Sequence, residues 1–286
     1  MPVKIVTDST ADIPGDLVSE FGIEVVPLKV RFGTEEFFDG IDLPKDEFYR
    51  RLIDGPTLPT TSQPSVGEFA EVYQRLAQGA DGILSFHLSA KLSGTYNSAR
   101  QAAEQVSAGG TSICPIEVVD STQTSMTLGL MVLRLAREAA AGLDIGELSA
   151  LANDLISRSE FFVLLDTLEY LQKGGRVGKA RALIGGILKI KPMIILREGE
   201  VHELAKERTR RRGIARLLST AADFGPVEDM AVLHSTTPEE AESLANELTA
   251  MMPEGRKPII SRAGSVIGTH AGPGALGISL LKTTAH

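Results

Sequence analysis

Three short segments of the 286-residue sequence concentrate hydroxyls, amides and glycines. They are Thr60-Thr61-Ser62-Gln63-Pro64-Ser65, Ser93-Gly94-Thr95-Tyr96-Asn97-Ser98 and Gly268-Thr269-His270-Ala271-Gly272-Pro273-Gly274. The first precedes an amphipathic helix and the second opens one after a strand. Hydroxyls and free backbone N–H groups at a helix start can hold an anion, which the helix dipole favours. Taken singly, each segment reads first as an ordinary N-cap, and the anion-site reading gains strength only when the three are taken together with His270. His270, set in a glycine-rich turn, can donate a hydrogen bond to an anion or can serve as a satisfied structural histidine.

Other motifs fail on spacing or context. Gly272-Pro273-Gly274-Ala275-Leu276-Gly277 matches G-x-G-x-x-G, but a dinucleotide site needs it after a first strand, with an acidic residue about 20 positions later. Only nine residues follow it. A tight turn against a ligand or a neighbouring helix suits these glycines better. Gly174-Gly175-Arg176-Val177-Gly178-Lys179-Ala180 is one residue short of a phosphate loop, and Ala180 stands where Ser or Thr would meet magnesium. It reads as an exposed Gly-Gly-Arg turn, too glycine-rich to bury a long cation, with Ala182 to Ile190 able to pack as a helix beneath it. The basic run from Lys206 to Arg212 reads as a solvated helix face. H-E-x-x-H and G-x-S-x-G are absent, and the five histidines lack metal-ligand spacing. No metal site or resident cofactor is expected.

The elements that position these segments follow from periodicity. Val3–Thr7, Gly82–His87 and Ile116–Val119 read as strands, and Ile23–Phe32 as one extended segment. Val66, Phe69, Val72 or Tyr73, and Leu76 recur at helical spacing. A helix starts near Ser93, and a Leu/Met/Ala-rich helix runs to about Ala141. Asp144 and Glu147 form a capping box for a helix that buries Leu148, Leu151 and Leu155. Such alternation implies a mostly parallel sheet with helices on both faces. Ligands of such sheets sit at the C-terminal strand ends. Asp8-Ser9-Thr10, Ser89 to Thr95 and Asp120-Ser121-Thr122 all follow predicted strands.

The pattern changes near residue 160. Phe161–Leu165 is strand-like. Ile190–Leu196 and Val201–Ala205 flank a hairpin turn at Arg197-Glu198-Gly199-Glu200. A helix from about Arg208 carries Ile214, Leu217 and Leu218. After the strand Met230–His234, Thr237-Pro238-Glu239-Glu240 combines N-cap, proline at N1 and glutamate at N3. We therefore expect an α/β chain of two lobes: residues 1–160, with a mostly parallel sheet flanked by helices, and residues 161–286, an α+β lobe.

Composition bounds the function. Apolar residues make up 43% and charged residues 23%, a soluble globular balance. The single cysteine, Cys114, excludes an intrachain disulfide and fits a reducing cytoplasm. No apolar run approaches the roughly 18 residues that cross a bilayer. Met1-Pro2-Val3-Lys4-Ile5 is already strand-like, so no signal peptide is expected. A net charge of −8 and a pI near 5.3 argue against a general nucleic-acid binder. With no Trp and 5% aromatics, base-stacking platforms are disfavoured.

The sequence resembles the DegV family along nearly its whole length. The resemblance is carried by Ile5-Val6-Thr7-Asp8-Ser9-Thr10-Ala11-Asp12, Pro59-Thr60-Thr61-Ser62-Gln63-Pro64-Ser65, Leu92-Ser93-Gly94-Thr95-Tyr96-Asn97-Ser98-Ala99 and Val119-Asp120-Ser121. It continues through Tyr170-Leu171-Gln172-Lys173-Gly174-Gly175-Arg176-Val177, Leu188-Lys189-Ile190-Lys191-Pro192, Arg208-Thr209-Arg210 and Gly268 to Gly277. Order and spacing fit together.

The resemblance implies a fatty-acid-binding subunit of a bacterial fatty acid kinase, with a long acyl chain buried between two lobes. Its carboxylate would be held at Thr61 or Ser62, at Ser93 and Gly94, and near His270. Arg176 would lie at the mouth and meet the kinase. That separate ATP-dependent kinase would make an acyl-phosphate, which agrees with the missing ATP motifs; no catalytic residue is then expected in this chain. The competing reading is a free-standing enzyme acting on a small anionic substrate, with His270 as general base and a hydroxyl as nucleophile. Only the lipid reading requires a long apolar tunnel.

Overall fold

The computed structural model describes residues 2–109, 114–183 and 190–284. The first part of the chain contains β1 (Lys4–Asp8), α1 (Gly15–Glu20), β2 (Glu24–Val26), β3 (Lys29–Phe32), β4 (Glu35–Phe38), α2 (Lys45–Asp54), β5 (Thr60–Ser62) and α3 (Val66–Ala77). It continues with β6 (Ile83–His87), α4 (Thr95–Ala108), β7 (Ile116–Asp120), α5 (Ser125–Ala141) and α6 (Ile145–Arg158). Then follow β8 (Ser159–Leu164), α7 (Glu169–Lys173), β9 (Lys191–Arg197), β10 (Glu200–Glu207), α8 (Arg210–Phe224), β11 (Val227–His234), α9 (Pro238–Leu248), β12 (Ile259–Arg262), α10 (Ser265–Ala271) and β13 (Leu276–Lys282).

The first sheet is parallel, in the order β2-β1-β6-β7. Side chains alternate across it. Val6 and Ile83 pack with Phe69, Tyr73 and Ala102 of α3 and α4 on one face. Ile5, Leu84 and Phe86 pack with Leu128, Met131 and Leu148 of α5 and α6 on the other. This is the helix-flanked parallel sheet that the alternation predicts. The Asp144–Glu147 capping box forms at the start of α6 as expected.

The second sheet is mixed, in the order β10-β9-β8-β13-β11-β12, antiparallel except for β11–β12. The predicted β9–β10 hairpin turns through Glu198 (φ 48°) and Gly199 (φ 78°). Both residues take positive φ, as a two-residue turn of this hand requires. On one face, Phe162, Leu164 and Ile195 pack under Leu217 of α8 and Leu244 of α9. The other face presents Phe161, Val163, Ile194 and Leu196 towards Met126 and Leu130 of α5. Helix α5 is thus buried along most of its length between the two sheets, and its charged residues Arg134, Arg137 and Glu138 gather near its C-terminal end in ion pairs.

Two local expectations are corrected. Ile23–Phe32 is not one segment. It breaks at Pro27-Leu28 into β2, in the parallel sheet, and β3, in a third, antiparallel sheet of order β4-β3-β5. Thr60–Ser62 is strand β5 of that small sheet, and the helix cap within the Thr60 to Ser65 segment falls to its last residue. The N-cap of α3 is Ser65, in a capping box with Glu68. Thr237 does precede a proline at N1, yet its side chain makes no capping bond. The expected helix over Ala182 to Ile190 lies almost wholly outside the described residues.

The candidate site: an apolar cavity with a polar head

The three hydroxyl-rich segments converge at one end of a cavity. Its empty volume is about 950 Å3, the open mouth included. The walls come mainly from the second sheet: Phe161 and Val163 of β8, Ile194 and Leu196 of β9, and Val201 of β10. Helix α10 contributes Val266, Ile267 and Ala271.

The head of the cavity is polar. Thr61 lies mid-strand in β5, opposite Val30 of β3. His270 lies near the end of α10, and its Nε2 is 2.9 Å from Thr61 Oγ1. His270 Nδ1 is buried without a hydrogen-bond partner among the described residues. It faces Gly174 so closely that a Cβ there would lie 2.2 Å from it. The proton therefore belongs on Nε2, which donates to Thr61 Oγ1 and leaves the threonine hydroxyl hydrogen free for the cavity. Ser93 also lines the head, with its Oγ 2.9 Å from Thr95 Oγ1. Gly94 is the N-cap of α4; a Cβ on it would meet Gln63 Nε2 at 2.8 Å, so its absence lets the strand segment and the helix start close on each other. Ser62 borders the cavity but is exposed.

Arg176 departs from its expected exposure. It is half-buried: Nε donates to Leu92 O at 3.1 Å and an Nη to Gly174 O at 2.7 Å. Glycines do not prevent the burial, because their carbonyls accept the guanidinium. Thr61, Arg176 and His270 also border a second pocket, lined further by Thr60, Tyr170 and Lys173. The trio is common to the linings of both chambers. Sequence reading marked the segment that holds Gln63 without giving that residue a role, and missed Thr124 of the first chamber. Thr124 stands at the N-cap of α5, just after the polar cluster at Asp120, which is the signal that marks it; its hydroxyl is buried and unpaired among the described residues.

Burial, and after it the Arg176 guanidinium, hold His270 at about 4, below its ordinary 6.5. As pH falls through 6.5 the unfolded chain takes up a proton that the folded state refuses until about 4. Stability is therefore lost across that window as pH falls. His270→Gln is expected to remove about 1–3 kcal/mol of this loss. Urea unfolding between pH 4 and 7 checks it: an unchanged pH slope would place the titration on another group.

A Ser–His–Asp arrangement exists elsewhere and cannot act as a nucleophilic site. Tyr73 donates to Ser85 Oγ at 2.7 Å, and Ser85 Oγ lies 2.7 Å from His87 Nε2. His87 Nδ1 lies 3.0 Å from Asp8 Oδ2. All four residues are fully buried, so no substrate reaches the serine. The chain of bonds ties β1 to β6. Among the described residues no group of three or more His, Cys, Asp or Glu side chains could hold a metal ion.

Fold and site together define a two-lobed α/β protein with an apolar cavity closed at one end by hydroxyl, imidazole and guanidinium groups. The chain belongs to the DegV family: the model of that family, described as uncharacterised protein, matches residues 2–283. A DegV domain-containing protein of Streptomyces coelicolor is 39% identical over 279 residues, covering 96% of this chain and 97% of its own. Among solved structures, a DegV family protein from Thermus thermophilus, described by its fatty acid binding, superposes with a TM-score of 0.91 at 32% identity. It covers 99% of this chain and 100% of its own. A stearic acid-binding protein from Eubacterium ventriosum gives 0.90 at 28% identity, with 98% of each chain covered.

The glycine turn at residues 272–277 has the close-packing use foreseen for it. A Cβ on Gly272 would lie 2.3 Å from the Tyr170 ring of α7. No described helix is long and apolar enough to cross a membrane.

Proposed function

We propose that the protein binds a long-chain fatty acid and presents its carboxylate to a separate ATP-dependent kinase. The observation that carries the binding is an apolar chamber whose polar groups gather at one end. Fatty acid binding by the solved relatives supports the same reading. Burying about 15 methylenes at about 0.8 kcal/mol each gives about 12 kcal/mol before ordering costs. The carboxylate would lose its water and take donors from Thr61, Ser93 and the Gly94 backbone, with Ser62 at the rim and His270 turning the Thr61 hydroxyl towards it. These donors are neutral, and the neighbouring Arg176 guanidinium is already engaged by the Leu92 and Gly174 carbonyls, which leaves an oxygen nucleophilic. Attack on the γ-phosphoryl group of ATP held by the partner would give an acyl-phosphate and ADP, with positioning and charge neutralisation from the kinase and its metal.

In this reading the second chamber is where the phosphoryl donor approaches, and Arg176 is the residue that meets it or the kinase. The chain itself carries no catalytic residue and no resident cofactor, acts in the cytoplasm, and divides near residue 160. The enzyme alternative has no observation in its favour: an imidazole held near 4 is a weak base at neutral pH.

Native mass spectrometry of protein purified from a bacterial host is expected to show a bound fatty acid of about 14–18 carbons. A clean ligand-free mass, with no thermal shift on adding long-chain fatty acids, would overturn the binding. With a cognate kinase and ATP, Arg176→Ala should lose acyl-phosphate formation far more than fatty-acid affinity. Equal losses would confine Arg176 to the pocket. Ser93→Ala should weaken binding by roughly 1–3 kcal/mol, the cost of leaving a buried acceptor short of a donor. Unchanged affinity by calorimetry would leave Ser93 as a support for Thr95 alone.

A further inference from the structure

Two buried carboxylates meet the start of α10, and they come from different parts of the fold. Asp12 follows β1. Its Oδ1 accepts from Gly264 N at 2.7 Å, and its Oδ2 accepts from the Ser125 hydroxyl at 2.6 Å. Asp39 follows β4, and its Oδ1 accepts from Ser265 N at 2.8 Å. They are 6% and 4% exposed. A Cβ on Gly264 would come within 3.1 Å of both carboxylates. Burial raises both acids, Asp12 to about 7, with Lys45 acting against the rise. A helix start is ordinarily capped by one side chain. Two carboxylates in so buried a place are a costly way to cap seven residues.

The placement shows what the second carboxylate adds. At its other end α10 carries His270, and Val266, Ile267 and Ala271 of the same helix line the cavity. Thr61 sits on β5, one edge of the small sheet. Asp39 hangs from β4, the opposite edge of that sheet. Asp39 therefore joins the helix holding one member of the Thr61–His270 pair to the sheet holding the other. Asp12 fixes the same helix end to the parallel sheet and, through Ser125, to α5. Close packing completes the seat: a Cβ on Gly268 would lie 2.6 Å from the Phe48 ring of α2.

We infer that Asp39 and Asp12 are positioning residues that set the separation of Thr61 from His270, and so the geometry with which a ligand carboxylate is met. The ligand part rests on the fatty-acid reading, whereas the Thr61–His270 geometry does not.

Asp39→Ala removes the acceptor for Ser265 N–H, and Asp39→Asn keeps an oxygen in its place. The 15N imidazole spectrum of the ligand-free protein reports the His270 hydrogen bond, with Thr61→Val marking its loss. Asp39→Ala is expected to move the His270 Nε2 resonance towards the Thr61→Val position and to weaken oleate binding about tenfold by calorimetry. Asp39→Asn should restore both. A wild-type His270 spectrum in folded Asp39→Ala overturns the inference. If that variant does not fold, hydrogen exchange on the wild type decides: oleate should slow exchange of the Gly264 and Ser265 amides several-fold, and unchanged exchange overturns the coupling. Should wild-type protein bind no oleate at all, the fatty-acid reading fails by itself, and the ligand-free spectra still judge the positioning role.

Discussion

Gly174→Ala is expected to reduce fatty-acid affinity about 100-fold, equivalent to about 2.7 kcal/mol. The added methyl carbon would lie 2.2 Å from His270 Nδ1 and 2.7 Å from Cε1, well inside van der Waals contact. The backbone at Gly174 is right-handed helical (φ −75°, ψ −6°), so alanine is tolerated there conformationally and the effect is purely steric. The imidazole must leave Thr61, and the carboxylate loses the hydroxyl that the imidazole holds towards it. Overpacking should also lower stability by about 1–3 kcal/mol. Gly175→Ala is the control. Its φ of +71° strains an alanine, yet nothing lies within 4 Å of the new Cβ, so it should lower stability and spare affinity. Calorimetric titration with oleate and thermal melts separate the two. Wild-type affinity in Gly174→Ala would remove His270 from ligand binding.

The other large effect is expected from filling the chamber. Val163 is buried on the cavity face of β8. Val163→Trp would take the space of about three methylenes, worth about 2.4 kcal/mol or roughly 50-fold in affinity for an 18-carbon acid. In a close-packed core such an enlargement costs stability. Here it fills a void, so the melting temperature of the ligand-free protein should hold or rise. Shorter acids should be penalised less, which gives the variant a chain-length signature. A large fall in melting temperature with no change in binding would mean that the acyl chain lies elsewhere.

The parts of this structure legible in the sequence are those fixed by local rules. Alternating strands and helices gave the parallel sheet, Asp144 with Glu147 marked a helix start, and Gly199 marked a hairpin. The three polar segments of the site were legible because hydroxyls and glycines crowd together where strands give way to helices. The small third sheet was not. Its strands have only three or four residues, and the apolar run through Ile23–Phe32 hides the change of direction at Pro27. The burial of Arg176 was illegible for a different reason. Its acceptors are backbone carbonyls of Leu92 and Gly174, and backbone geometry at a distance of 84 residues leaves no trace in side-chain pattern. The clamp on α10 is of the same kind, since Asp12 and Gly264 are 252 positions apart.

Strand β13, the last in the sequence, sits in the interior of its sheet, between β8 and β11. A ribosome delivers β8 more than a hundred residues before the partner that completes its pairing. Until then β8 and β11 each present an open edge, and Met126 and Leu130 of α5 lack their full cover. Long-range pairing of this sort slows folding and leaves sticky intermediates in the interval. Truncation upstream of residue 276 is therefore expected to leave both strand edges open at once, giving an aggregation-prone fragment instead of a weakened protein.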